Sequence, residues 1–440
     1  MRTLLITLAA GLVATSGASP AAASSAAPDD AAIAALVTQE MPRVVAWRRD
    51  FHEHPELSNR EVRTSGIVAA HLRKLGLDVR EGLAKTGVVA VLEGAHPGPT
   101  IALRADMDAL PVTEQTDVPF RSRATATYRG ETVGVMHACG HDAHTATLMG
   151  VAEILSGLRA QLPGKVMFIF QPAEEGPPDG EEGGAPLMLK EGIFAVNRPE
   201  AIFGLHVFST LPAGVIGYRS GAFMAGSDGF QLSVTGRQSH GARPWQGIDP
   251  IVVSSQIVTA LQTIVSRQVD LTAHPAIITV GSFRGGVRGN IIPDVVDMQG
   301  TIRTFDPAQR EDVLARVGRT VTHMAEASGA SAKLTLSGRP NPVTFNDPSL
   351  TQRAVPTLTR VAGEGRIREL GLQTPSEDFS FFAREVPSLF FFVGVAQPDA
   401  APGTAADNHS PLFYIDESAL PVGVRALTQL SLDYLTGRMQ

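Results

Sequence analysis

An α/β sandwich interrupted by a second, smaller α/β unit is what this 440-residue sequence predicts. Short runs of Val, Ile, Ala, Leu and Phe alternate with segments whose apolar residues recur every three or four positions, the pattern of buried strands and amphipathic helices. Near Gly221 the order changes to a self-contained β-α-β-β-α-β series. The length agrees, because one hydrophobic core rarely organises this many residues.

Taken in chain order, Arg2, the apolar run Leu4 to Val13 and the small residues Ala21-Ala22-Ala23-Ser24 read as an export signal, residues 1–23, cut after Ala23. That run is about half of the ~20 residues a membrane-spanning helix needs. No other stretch is long and apolar enough to span, and no cysteine stands at the cleavage position to carry a lipid. Residues 30–220 form the first part of a larger domain. Ala31 to Phe51 and Glu61 to Leu75 have helical spacing, and Ala143 to Leu162 continues it after Cys139-Gly140-His141-Asp142. Gly87 to Leu92, Thr100 to Leu103 and Lys165 to Phe170 are apolar runs bounded by Gly, Pro or charge, as strands covered on both faces are.

Residues 221–340 form the insert. Phe230 to Thr235 alternates as a strand, Pro250 to Val269 is helical, Ile277 to Phe283 and Val295 to Thr304 are strands, Pro307 to Ala327 is a charged amphipathic helix and Lys333 to Leu336 closes the series. This is the split βαβ, ferredoxin-like order, with a four-stranded antiparallel sheet. Residues 341–440 return to the larger domain, with Ser388 to Val395 as the clearest strand.

Composition narrows the function. Hydrophobic residues at 43 % against 18 % charged exclude a disordered chain, and a formal charge of −7 offers no basic face for nucleic acid. The single cysteine, Cys139, excludes an internal disulfide framework in a chain that begins like an exported one.

Chemistry concentrates in a few segments. His137-Ala138-Cys139-Gly140-His141-Asp142-Ala143-His144 combines thiolate and imidazole donors suited to borderline first-row cations, and Gly140 lets Cys139 and His141 converge. Read in isolation, the same cluster also fits a small buried Cys with helix-capping histidines. Glu174 and Glu175 follow the strand ending at Phe170, at the edge where open α/β sheets bind ligands. One carboxylate there could hold a cation while its neighbour takes a proton from water. His206 follows the apolar run Ile202 to Leu205, and His409 lies in Asn408-His409-Ser410-Pro411 before a C-terminal helix. Five donors from four segments suffice for a two-metal site. Asp106 and Asp108, at the end of another strand, read as carboxylates that orient imidazoles, or as simple turn formers.

The motifs RRDFHEHPE (48–56), ADMDALP, HACGHDAH, QPAEEG, GLHV, SHGARP, NIIPD, GTIRT, SEDFSFF and NHSP together resemble the metallopeptidase family of hippurate hydrolase, aminoacylase-type N-acyl-amino-acid amidohydrolases and plant auxin-conjugate hydrolases. The resemblance runs from Val45 to Gly437. It implies a mixed-sheet, zinc-peptidase-like catalytic domain with an inserted lid or dimerisation domain. It also implies that Cys139, His141, Glu175, His206 and His409 ligate two divalent ions, Cys139 bridging, with Glu174 as general base. His240 is expected to reach the active site of the partner subunit in a homodimer and steady an oxyanion, and Asn290 and Arg303 to lie near the substrate's carboxylate. His137 and His144 are left to packing or to the ligands' surroundings, since seven donors would overfill two ions. Pro375 departs from the glycine often found before Ser376, and it fixes a backbone angle there.

The expectation is therefore an exported amidohydrolase, periplasmic or secreted and free of the membrane after cleavage, acting on N-acyl amino acids with two divalent ions (Zn, Mn, Co or Ni) per subunit. A dipeptidase or carboxypeptidase with the same site is the alternative enzyme, and an exported peptide- or metal-binding protein without turnover is the alternative outside enzymes.

Overall fold

The computed structural model describes residues 28–336, 339–397 and 404–439, so the export segment read at residues 1–23 lies outside the described residues. In chain order the strands are β1 (Asp78–Leu83), β2 (Gly87–Glu93), β3 (His96–Asp106), β4 (Pro163–Gln171), β5 (Ala201–Pro212), β6 (Ile216–Tyr218), β7 (Gly226–Thr235), β8 (Ala276–Gly285), β9 (Val295–Thr304), β10 (Ser331–Leu336), β11 (Ile367–Glu369) and β12 (Ser388–Ala396), with a few two- to four-residue strands besides. The helices are α1 (Asp30–Glu53), α2 (Val62–Lys74), α3 (His141–Gly157), α4 (Gly184–Lys190), α5 (Pro250–Gln268), α6 (Pro307–Ala327), α7 (Pro348–Ala362), α8 (Phe379–Glu385) and α9 (Leu420–Leu435).

The large sheet runs β1-β2-β4-β3-β5-β12-β6-β11. Its centre, β4-β3-β5-β12, is parallel, and antiparallel pairings flank it, so the sheet is mixed. Strand periodicity divides the central residues between two cores. Phe168, Phe170, Phe391 and Val393 face α1, α2, α3, α7 and α9, whereas Met167, Ile169, Phe390 and Phe392 face α4 and α8. Both faces are covered, which is why these strands read as unbroken apolar runs. From β3 the chain crosses by α3 to β4 on one side, and then returns to β5 on the other. Such a reversal opens a crevice at the carboxyl ends of the strands.

Residues 226–336 build a separate four-stranded antiparallel sheet, β8-β9-β7-β10, with α5 and α6 in the order read from the sequence. Phe230, Leu232 and Val234 on alternate positions of β7 pack against Ile257, Leu261 and Ile264 of α5 and Val313, Val317 and Val321 of α6, a core of its own. Asp249-Pro250, Asp306-Pro307 and Asp347-Pro348 start α5, α6 and α7. In each the aspartate side chain accepts a first-turn N–H and the proline occupies a position whose donor would be idle.

The helix expected over 143–162 is displaced: α3 starts at His141 and ends at Gly157, and Arg159–Gln161 form a 3₁₀ turn instead. The chain has to reverse there to enter β4 at Pro163, and a tighter turn makes that reversal possible. No helix among the described residues is long and apolar enough to cross a membrane. Ile257 is fully buried in the small unit's core. Ile257→Ala is expected to lower the stability of that unit by about 2–5 kcal/mol, measured by urea unfolding, because the cavity closes only partly.

Candidate metal centre

Four chain segments meet at the crevice. Asp106 and Asp108 leave the end of β3, Glu174 and Glu175 follow β4, His206 belongs to β5, and the Cys139 loop enters the N-terminus of α3. Gly140 caps α3 with φ at 95°, and a Cβ there would stand 2.3 Å from Val207 Cγ2. Only glycine fits that turn. His409 arrives from the C-terminal region with φ at 73° and its N–H on the Ala138 carbonyl at 2.7 Å. Its neighbour Asn408 fastens three segments together. The Asn408 amide donates to the Cys139 and Val207 carbonyls (3.1 and 3.2 Å), and its oxygen accepts from the N–H and hydroxyl of Ser209.

Cys139, His141, Glu175, His206 and His409 converge. Cys139 Sγ lies 3.3 Å from His206 Nε2 and 3.2 Å from His409 Nε2, and Glu175 Oε1 lies 3.0 Å from His409 Nε2. The donor atoms of Cys139, His141 and His206 fall within 4.8 Å of one another, and so do those of Cys139, Glu175 and His409. Cys139 belongs to both sets. His206 Nδ1 donates to the Val207 carbonyl at 2.7 Å, which turns the Nε2 lone pair toward the thiol. His141 Nδ1 lies 3.2 Å from Asp108, while its buried Nε2 has no hydrogen-bond partner. An orphaned imidazole nitrogen facing sulfur and carboxylate is what a cation would satisfy, so the residues fit divalent ions.

The surrounding charges point the same way. Burial, then Glu377, Glu175 and Asp378, push the Glu174 carboxyl well above the usual range. Burial with Glu175 and Glu174 likewise pushes the Cys139 thiol far up. Burial would strip the proton from His141, yet Asp106 and Asp108 outweigh it and hold the ring's pKa up at about 10. All three shifts express an excess of negative charge in a place poor in water, which cations would relieve.

Asp106 and Asp108 do orient imidazoles: Asp106 Oδ1 is 2.5 Å from His144 Nδ1, and Asp108 serves His141. His144 Nε2 accepts the Val207 N–H at 2.8 Å, so both of its nitrogens are committed. His137 is buried with both nitrogens unpartnered, and burial first of all lowers its pKa to about 4. It joins none of the donor groups among the described residues.

The sequence reading gave Arg104, Glu377 and Asp378 no role, although the two carboxylates stand in the SEDFSFF motif. The Arg104 side chain is buried and donates to Gln171 (2.8 Å), Asp106 (2.6 Å), Glu377 (2.8 Å) and Asp378 (3.2 Å), tying β3 and β4 to the segment before α8. The available signal was an arginine inside an apolar strand run, since a buried guanidinium must find carboxylates. Pro375 keeps its carbonyl in use, accepting the Ala225 N–H at 3.1 Å.

The small unit contributes differently. His240 and Asn290 share one exposed tip, where Ser239–His240 pairs with Ile291–Ile292 and the Gly241 N–H reaches the Asn290 carbonyl at 2.9 Å. His240 Nδ1 accepts the Ala242 N–H, leaving Nε2 free to donate. Arg303 is half-buried on β9 with its guanidinium on the Ser227 hydroxyl. Beside Glu174 and Glu175 opens a cleft of about 1060 Å³ whose far wall includes His274, Arg310 and Asn341; His240, Asn290 and Arg303 do not line it. Gly140→Ala is expected to cost about 1–3 kcal/mol of stability by forcing Val207 aside, and to reduce bound metal per chain when titrated with a divalent ion.

Residues 102–433 match the family model described as peptidase family M20/M25/M40. The chain is 39 % identical over 392 residues to thermostable carboxypeptidase 2 of Saccharolobus solfataricus, covering 89 % of this chain and 95 % of the relative. It is 38 % identical over 401 residues to IAA-amino acid hydrolase ILR1-like 2 of Arabidopsis thaliana, covering 90 % and 86 %. Among solved structures, the YXEP protein of Bacillus subtilis, titled a dinuclear metal binding peptidase from the M20 family, superposes with a TM-score of 0.74 at 34 % identity over 91 % of this chain and 99 % of its own. With three quarters of its length inside the family model and relatives aligned nearly end to end, this chain belongs to peptidase family M20/M25/M40 and is a metal-dependent hydrolase of amide bonds.

Proposed function

We propose that the protein cleaves N-acyl amino acids, of the hippurate or acetyl-amino-acid kind, to a carboxylic acid and a free amino acid, as an exported homodimer with two divalent ions per subunit. The observation that carries this is Glu174, a carboxylate beside both donor sets, 3.9 Å from His141 Nε2, while Glu175 turns to His409. A protein that only bound metal or peptide would have no use for that second carboxylate.

Cys139, His141, Glu175, His206 and His409 would hold the ions, with Cys139 common to both; zinc, manganese, cobalt and nickel all suit this donor set. Bound there, the ions supply Lewis acidity toward the scissile carbonyl and lower the pKa of the attacking water. Glu174 takes that water's proton and returns it to the leaving amine. His240 of a second subunit donates its Nε2–H to the developing oxyanion. Asn290 and Arg303 engage the amino acid's carboxylate, for which a guanidinium offers two parallel donors.

The dimer is supported by the apolar surface around the His240 tip: Trp245 is 76 % exposed and Val287 97 %. Export rests on the segment from Arg2 to Ala23, and leads to periplasm or medium. The relative named a carboxypeptidase favours a second use of the same machinery, removal of a C-terminal residue from a short peptide, whereas the relative named an IAA-amino acid hydrolase favours N-acyl amino acids.

Hydrolysis of N-benzoyl- and N-acetyl-amino acids is compared with that of free-amino dipeptides, before and after chelation. Faster release from the N-acyl compounds, lost with the metal and regained on its return, is the expected result; preference for the dipeptides selects the second use. Glu174→Gln is expected to lower kcat by about 10²–10⁴-fold with metal content unchanged, and undiminished turnover would remove Glu174 as the base. His240→Ala is expected to lower kcat by about 10²–10³-fold and to be complemented, in mixed dimers, by a subunit carrying Glu174→Gln.

A further inference from the structure

Glu61 is fully buried and stands at the start of α2, where a carboxylate would ordinarily cap the first N–H groups. Glu56 does that instead, accepting from the Arg63 and Thr64 amides at 2.9 and 2.8 Å. Glu61 accepts from the Thr86 hydroxyl at 2.6 Å and from the backbone N–H of Ala173 at 2.9 Å. The next two amides, of Glu174 and Glu175, donate to the two oxygens of Asp108 at 3.1 Å each. Three successive N–H groups are thus held by two buried carboxyl groups, and the first belongs to an alanine with φ at 53°, in the left-handed region.

We propose that Glu61 is a positioning residue for Glu174: its hold on the Ala173 amide fixes the left-handed turn that aims Glu174 at the cluster and Glu175 at His409. The role rests on Glu174 being the general base. Ala173 is buried, so an amide deprived of Glu61 has no water to turn to, and the loop relieves the loss by rotating. A base moved by a fraction of an ångström loses rate more than it loses substrate, because the substrate's grip lies elsewhere. Burial and then Asp108 push the Glu61 carboxyl up to about 8, so glutamine copies the shape of the neutral acid and keeps an oxygen for the amide.

The metal-loaded full chain is assayed with N-benzoylglycine, and hydrogen exchange is followed in the peptide spanning 172–176. Glu61→Leu is expected to lower kcat about 10- to 100-fold with KM and metal content near wild type, and to speed exchange in that peptide. Glu61→Gln is expected to restore both, and Thr86→Val, which removes the other anchor of Glu61, to fall between. Wild-type kcat in Glu61→Leu, or equal damage in Glu61→Gln, overturns the role; should the leucine variant not fold, wild-type kcat and exchange in Thr86→Val overturn it as well. Glu174→Gln is run alongside. An inactive Glu174→Gln beside a fully active Glu61→Leu removes Glu61 alone, whereas a fully active Glu174→Gln removes the base and the positioning role with it.

Discussion

Negative charge held away from water at one edge of the large sheet is the constraint to which the rest of the structure answers. Asp106, Asp108, Glu377 and Asp378 are all buried, and Glu174, Glu175 and the Cys139 thiol stand beside them. Two like charges 4 Å apart cost about 4 kcal/mol even at an effective dielectric of 20, so this many carboxylates cannot remain ionised without cations among them. Arg104 is the cation the chain itself supplies, and it meets three of the carboxylates from inside a strand. The remaining excess faces Cys139, His141, His206 and His409, where two divalent ions fit.

That arrangement depends on backbone more than on side-chain identity. Gly140, Ala173 and His409 all adopt positive φ, one in each of three segments that carry the clustered donors or Glu174. Two of them are not glycine, so each is held by something outside itself: the Ala138 carbonyl for His409, and Glu61 for Ala173. Conformations of this kind persist where surrounding contacts over-determine them, and they gather at functional sites for that reason. The two crossings, from β3 to β4 and from β4 to β5, supply the rigid frame, since β3, β4 and β5 are buried on both faces and leave their ends fixed.

The small unit stands apart in its physics. It has its own sheet and core, and its exposed tip carries His240 and Asn290 near the exposed Trp245 and Val287. Neither His240 nor Asn290 lines the cleft beside Glu174 and Glu175 of its own chain, and the proposed homodimer would use such a surface.

Much of this was legible in the residue order. Unbroken runs such as Val166 to Phe170 marked strands covered on both faces, three- and four-residue apolar spacing marked helices such as Pro250 to Val269, and five thiol, imidazole and carboxylate donors at strand ends or loops marked the crevice, because these signals arise from local geometry and from the scarcity of residue types that suit cations. The end of α3 was misread, since nothing within that segment reveals that the chain must turn into β4. The pairings of Arg104 with Glu377 and Asp378, and of Glu61 with Ala173, could not be read for a deeper reason. Each pairs groups about a hundred to nearly three hundred positions apart, and whether a charged side chain is solvated or buried against a distant partner is decided only when the sheet closes and excludes water.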